Sequence, residues 1–244
     1  MRLLVDVGNT QVKYVTQRMG TSKSLSNIVY INYQLFVRQL NKGVFSTVTE
    51  VILANVHGSE IHDAIEKWTT QNSIAFIQVH SEAKAFGIHS SYQQPERLGV
   101  DRWLAMIGAK QLYPDKNLLI IDAGTATTVD VLDAKGQHCG GWIMPGVQTM
   151  FNSLLSGTKK IIASPNVTAS LLFGKDSSNC LNNGSWAMTI GAIKEAILQA
   201  NSSLALDKVL ITGGNGQQII DLLAVNCQLE PKLVFHGLSC FQAH

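Results

Sequence analysis

Leu3-Leu4-Val5-Asp6-Val7-Gly8-Asn9-Thr10 is a short apolar run that closes on an aspartate and a glycine-bearing turn. Bounded by turn residues, it reads as a strand. Residues 12–16 alternate like a strand returning beside it. The pattern recurs at Leu118-Leu119-Ile120-Ile121-Asp122-Ala123-Gly124-Thr125, with 128–132 as its return. Asp133-Ala134-Lys135-Gly136 is then a turn signal before another strand, to about Ile143. A carboxylate at the carboxyl end of a buried strand sits where open α/β sheets place ligands. The neighbouring glycine lets backbone approach a phosphate closely. One Asp-x-Gly turn is ordinary turn chemistry. Two, each followed by a hairpin, form a much stronger signal, and Gly213-Gly214-Asn215-Gly216 adds a late glycine-rich turn after a strand at 208–212.

Outward from these turns the chain mixes strands and helices. Strands are predicted at 51–56 and 74–79, and a helix at 59–70. A second helix starts near Asp101 and stops before Pro114. Trp186, Ile190, Ile193 and Ile197 recur at helical spacing and predict an amphipathic helix. Another helix follows the late glycine turn, through about Val225. The class is α/β. Tyr113-Pro114-Asp115-Lys116 marks a seam, dividing the chain into domains 1–114 and 115–244. With 45% hydrophobic and 15% charged residues, the chain supports a core and is not disordered.

A formal charge of +2 gives no electrostatic case for nucleic acid, and the basic residues do not gather with aromatics. No apolar run reaches the roughly 18 to 20 residues of a membrane span. Asp6 interrupts any signal-peptide core, so a cytoplasmic protein is expected. Cys139, Cys180, Cys227 and Cys240 form no CxxC pair and lack histidine at ligand spacing, which argues against zinc or disulfides. The seven histidines form no cluster and receive no role.

The order of two phosphate turns and a late nucleoside turn resembles the actin, sugar kinase and heat-shock chaperone superfamily. That resemblance implies two ribonuclease-H-like domains with ATP bound in the cleft between them. No GxxxxGK[ST] P-loop is present, and Gly213-Gly214-Asn215-Gly216 does not fit GxGxxG. Inside the superfamily, Asp6-Val7-Gly8-Asn9-Thr10-Gln11-Val12-Lys13 is similar to the DxGNTxxK signature of type III pantothenate kinases. Tyr92, Pro95 and Leu98-Gly99-Val100-Asp101-Arg102-Trp103 resemble that family's tyrosine and GxDR segment. Asp122-Ala123-Gly124-Thr125-Ala126-Thr127-Thr128 and Gly140-Gly141-Trp142-Ile143-Met144-Pro145-Gly146 resemble its second phosphate and GGxIxPG motifs. With the 174–184 segment, the resemblance covers most of the chain. One departure stands out. The family's Gly-Arg-Asn-Thr is Gly174-Lys175-Asp176-Ser177 here. Ser177 keeps a hydroxyl, while Lys175 keeps charge but loses the bidentate fork of arginine.

The resemblance implies roles, each with a plainer alternative. Asp6 would hold Mg²⁺, or merely cap its turn. Val7, Gly8, Asn9, Thr10, Gln11, Val12 and Lys13 would line the ATP phosphates, although Lys13 also fits a solvated strand lysine. Asp122 would bind a monovalent cation, K⁺ or NH₄⁺, and Thr125 would contact ATP. The plainer alternative for Asp122 is a buried, hydrogen-bonded turn carboxylate, but burying it behind 118–121 is costly without a partner, which favours a ligand role. Asp101 would be the general base, with a helix N-cap as the alternative. Tyr92, Gly99, Val100, Arg102 and Ser177 would bind pantothenate, Arg102 through its carboxylate. The alternatives are a surface arginine and a half-buried loop tyrosine. A homodimer is also implied, with Ser177 reaching the partner's substrate. The expected reaction is ATP-dependent phosphorylation of pantothenate to 4'-phosphopantothenate. A non-catalytic regulatory relative is the alternative, and retention of Asp6 and Asp101 speaks against it. An actin-like ATPase lacking an acceptor would not need the Tyr92 and Arg102 neighbourhood.

Overall fold

The computed structural model describes residues 1–19, 24–157, 163–164 and 168–243. The first series of elements is β1 (Arg2–Val7), β2 (Val12–Gln17), β3 (Val29–Ile31), α1 (Tyr33–Asn41), β4 (Glu50–Asn55), α2 (Ser59–Gln71) and β5 (Ala75–Gln78). A ribbon of β6 (Lys84–Ala85) and β7 (Ile88–His89), a 3-10 turn at Pro95–Arg97 and α3 (Val100–Leu112) follow. The second series is β8 (Leu118–Ala123), β9 (Ala126–Leu132), β10 (His138–Pro145), α4 (Val147–Gly157) and α5 (Ser177–Leu204). It ends in β11 (Lys208–Thr212), α6 (Gly216–Leu223), β12 (Gln228–Leu229) and α7 (Leu233–Leu238).

Two five-stranded sheets repeat one topology, β3-β2-β1-β4-β5 and β10-β9-β8-β11-β12. In each, the first strand runs antiparallel to its hairpin partner and parallel to the strand beyond it. This is the ribonuclease-H-like order, so the expected α/β class is present twice. Every residue of β1 is buried. A strand covered on both faces carries a continuous apolar run rather than an alternating one, which explains Leu3 to Val5 and, in β8, Leu118 to Ile121. The ladders place Asp6 opposite Lys13 on β2 and Ala54 on β4. They place Asp122 opposite Thr128 on β9 and Thr212 on β11.

Each sheet has its own core. Leu3, Val5 and Val7 pack with Phe36 and Leu40 of α1 and with Ile61, Ile65 and Trp68 of α2. Leu119 and Ile121 pack with Trp186, Ile190 and Ile193 of α5 and with Ile219 and Leu223 of α6. Each such side chain contributes about 1.5–3 kcal/mol by leaving water. The predicted stripe on α5 is therefore the one that is buried, with Ile197 packed at its margin. Among the described residues, no helix is long and apolar enough to cross a membrane.

Packing groups Met1–Pro114 with Lys232–His244, and Asp115–Pro231 as a second unit. The tail, which the sequence reading placed with 115–244, thus packs with the first unit. The reason is local. On α3, residues 102–109 are all buried, so this helix must be covered nearly all round. Helix α7 covers it at backbone distance. A Cβ on Gly108 would lie 2.1 Å from the Leu233 carbonyl oxygen, and one on Gly237 would lie 2.1 Å from that of Leu104. Buried Arg2 then ties the tail to β1. Its guanidinium donates to Glu50 at 2.7 Å, to Gln17 at 2.8 Å, to the Ser239 carbonyl at 3.1 Å and to the Phe241 carbonyl. Short elements β3, α1, α4, β12 and α7 were not anticipated from sequence. An apolar run as brief as 233–238 carries no period that separates helix from strand.

Candidate active site

The hairpin turn after β1 closes when the Gly8 amide donates to the Gln11 carbonyl at 3.1 Å. Asn9 and Thr10 stand exposed at its tip. Val7 and Val12 face each other across the ladder with fully buried side chains, so only their backbone can meet a ligand. Asp6 is 5% exposed and accepts from Lys13 Nζ at 3.2 Å. The solvated-lysine alternative for Lys13 therefore fails in part: its ammonium reaches inward to a buried carboxylate. A hard oxygen donor at a strand end suits Mg²⁺, which takes one or two carboxylates together with phosphate oxygens and water.

The next candidates stand at the start of α3. Gly99 occupies the cap position, and Asp101 lies inside the first turn. The Asp101 carboxylate accepts the Arg102 amide at 2.8 Å, one of the amides a helix start leaves unpaired. Its pKa is raised, first by burial and then by the nearby charge of Asp6, against the lowering pull of the Arg102 amide and guanidinium. Gly99 is sterically bound to the same group, since a Cβ there would lie 2.6 Å from Asp101 Oδ1. Val100 is buried beside it.

Arg102 is only 4% exposed, so it is not a surface arginine. Its Nη1 donates to the Tyr92 hydroxyl at 2.8 Å, and its guanidinium carbon stands 5.7 Å from the Tyr92 ring centroid. The tyrosine holds the planar fork in one orientation. Asp6, Lys13, Tyr92, Asp101 and Arg102 all belong to the first unit.

In the second unit, the turn at Gly124 and Thr125 is shaped by backbone. Gly124 donates to Ala126 at 2.9 Å, and the Thr125 carbonyl accepts both the Gly146 amide at 2.9 Å and Thr149 Oγ1 at 2.6 Å. A Cβ on Gly146 would lie 2.2 Å from the Gly124 carbonyl oxygen. From the other side comes Gly213, at φ 89°, where a Cβ would lie 2.5 Å from Asp122 Oδ1. The Asn215 amide closes this contact on the Ala123 carbonyl at 3.0 Å. Three motifs that are distant in sequence thus meet around half-buried Asp122. Next to Asn215 opens a cavity of ≈ 400 Å³ lined by Trp186, Val147, Asn182, Gln218 and Asp221.

Ser177 is the exposed first residue of α5. Its neighbour Asp176 is the cap and accepts the Asn179 amide at 2.9 Å, a bond that lowers the Asp176 pKa. Gly174 is required here too, because a Cβ would lie 2.3 Å from the Cys180 amide nitrogen. Sequence reasoning missed Tyr33, whose hydroxyl donates to the Gly8 carbonyl. It also assigned no role to Thr149, and gave Gly146 and Gly213 none beyond membership of the GGxIxPG motif and the late nucleoside turn. The one signal for Tyr33 was Asn32, a good helix cap, which accepts the Leu35 amide at 2.8 Å.

Comparison with known proteins gives the family and the fold. The profile of the type III pantothenate kinase family matches residues 2–199. A type III pantothenate kinase of Colwellia psychrerythraea is 40% identical over 98% of this chain and 99% of its own. Among solved structures, a Campylobacter jejuni protein assigned to the Baf family of transcriptional activators superposes with a TM-score of 0.62 at 20% identity, covering 98% of this chain and 96% of its own. A Sinorhizobium meliloti protein assigned as a 2-dehydro-3-deoxygalactonokinase gives 0.57 at 12% identity, covering 98% and 97%. These two likenesses concern the fold alone; the matched profile and the long, close relative carry the family, and the chain belongs to the type III pantothenate kinases.

Proposed function

We propose that the protein transfers the γ-phosphoryl group of ATP to the primary hydroxyl of pantothenate, giving 4'-phosphopantothenate, the first step of coenzyme A synthesis. The observation that carries this reading is Asp101, a carboxyl whose pKa burial raises, adjacent to buried Arg102, which donates to half-buried Tyr92. Together they offer a proton acceptor and an anion clamp to one small acidic alcohol.

Each residue has a physical task. Asp101 accepts the hydroxyl proton and orients the oxygen for attack. Arg102 takes the pantothenate carboxylate as a planar fork, and Tyr92 fixes that fork. Gly99 and Val100 bring backbone against the substrate, and Ser177 adds a hydroxyl. The turn from Val7 to Val12 and Thr125 line the ATP phosphates, with Lys13 adding positive charge. Asp6 would hold Mg²⁺, which neutralises charge on the phosphates when bound. Asp122 would hold K⁺ or NH₄⁺, a further counter-charge beside them. The 1–114 and 115–244 division remains a proposal for the two ribonuclease-H-like domains, amended by the tail noted above. Exposed Leu172, Phe173 and Met188 support a homodimer. A cytoplasmic location fits the same reading.

The deciding experiment is a coupled ATP assay with pantothenate, run in K⁺ and in Na⁺ at matched ionic strength. Pantothenate-dependent ADP release, faster in K⁺, is expected. ATP turnover indifferent to pantothenate would overturn the reaction, and equal rates in both salts would overturn the cation site alone.

A further inference from the structure

The loops that follow β1 and β4 are bound together by one side chain the motifs do not include. Tyr33 is the first residue of α1, whose start is fixed by the Asn32 cap. Its hydroxyl donates to the carbonyl of Gly8 in the β1 turn. Its ring stacks on the His57 imidazole in the β4 loop, with centroids 4.4 Å apart and planes 10° from parallel. His57 is held in turn by Asn55, which accepts the His57 amide at 3.0 Å and donates to the Gly58 carbonyl at 2.7 Å. The base of this loop is joined to β1, because the Val56 amide donates to the Val7 carbonyl at 3.0 Å. One tyrosine therefore touches both loops at the carboxyl end of adjacent parallel strands.

Resting on the reading of residues 7–13 as the ATP phosphate turn, we propose that Tyr33 is a positioning residue for nucleotide binding, with His57 as the platform that aims its hydroxyl at Gly8. The carbonyl of Gly8 sets the orientation of the following peptide, and so of the amide that Asn9 presents. A turn with exposed residues at its tip gains affinity for phosphate when its amides are held in the bound arrangement beforehand. Burial and the charge of Asp6 both raise the Tyr33 pKa, so the hydroxyl keeps its proton and remains a donor well above neutral pH. The Tyr33 hydroxyl acts on the Gly8 carbonyl of the phosphate turn, whereas Arg102 donates to Tyr92. Loss of the Tyr33 hydroxyl is therefore expected to act on ATP and to spare pantothenate.

Tyr33→Phe keeps the stack and removes only the hydroxyl. Titration calorimetry with ATP and Mg²⁺, without pantothenate, reads the effect directly. The expected result is a Kd for ATP raised about three- to tenfold, the usual worth of one hydrogen bond. In steady-state kinetics the KM for ATP should rise alike, while the KM for pantothenate stays within about twofold. His57→Ala removes the platform and should weaken ATP in the same direction, whereas His57→Phe retains a flat ring and should restore it. An unchanged ATP Kd in Tyr33→Phe overturns the proposal. If that variant melts far below the parent, the histidine pair decides, and equal ATP affinity in Ala and Phe overturns it. Absence of pantothenate kinase activity in the unmodified protein would refute the reaction instead, since the calorimetry does not depend on it.

Discussion

The turns after β1 and β8 occupy equivalent places in two sheets of one topology, yet they secure their aspartates by different means. Asp6 is nearly buried and faces a lysine across the ladder. Asp122 is half-buried and faces threonines on both sides. A buried carboxylate without a counter-charge is costly, so the first turn needs Lys13. The second turn instead gets its shape from backbone, with Gly146 and Gly213 pressed against it at distances no side chain permits. Equal topology thus supports a charged site in one unit and a shape-defined site in the other.

The largest effect belongs to the charged unit. Asp101→Asn retains an acceptor for the Arg102 amide but cannot take a proton. We expect kcat to fall by about 10² to 10⁴ in steady-state assays. The direction of the pKa shift adds a sign. A carboxyl whose pKa is raised by folding destabilises the folded state once it ionises, so stability is lost as pH rises through the folded pKa. The melting temperature of Asp101→Asn should then equal or exceed the parent's at pH 8, with the gap closing below the ordinary carboxylate range. The acid limb of the parent's activity should lie above that range as well. Near-normal kcat would return Asp101 to a purely structural role.

The shape-defined unit is broken next. Gly213→Ala meets left-handed backbone, worth about 1–2 kcal/mol, and a contact with Asp122 and Ala123 that adds about 1–3 kcal/mol of overpacking. Gly214→Ala is the control, because nothing lies within 4 Å of its Cβ position. Thermal unfolding should separate the neighbours clearly; equal melting points would mean that the turn accommodates a methyl group.

Arg102→Leu should raise the KM for pantothenate about ten- to a hundredfold, the worth of a charge-assisted pair. The KM for ATP should hardly move. A matching rise in both would mean that Arg102 does not act on pantothenate alone. The smallest effect is expected at Asp122→Asn, where the ratio of rates in K⁺ and Na⁺ should fall toward unity while the pantothenate KM stays put. A ratio retained in the variant would place the cation elsewhere.

Much of this was legible from local chemistry. Unbroken apolar runs closing on Asp6 and Asp122 announced two buried strands, because a strand covered on both faces has no polar alternation to show. Trp186, Ile190 and Ile193 announced one face of α5 by spacing alone. Asp122 drew attention as a carboxylate costly to bury, whereas Asp101 and Arg102 stood out only through the resemblance of their segment to a family motif. The tertiary structure decided whatever depends on partners far along the chain. That Gly99 holds the cap position, with Asp101 inside the first turn, appears only in the folded chain. Arg102 as surface or buried residue turned on Tyr92. The return of 232–244 to the first unit rests on Gly108 and Gly237, whose need to be glycine appears only when α3 and α7 cross. Tyr33 carries no motif because its two contacts, at Gly8 and His57, lie 25 and 24 positions away, and a hydrogen bond or ring stack across such a separation leaves no period in the sequence.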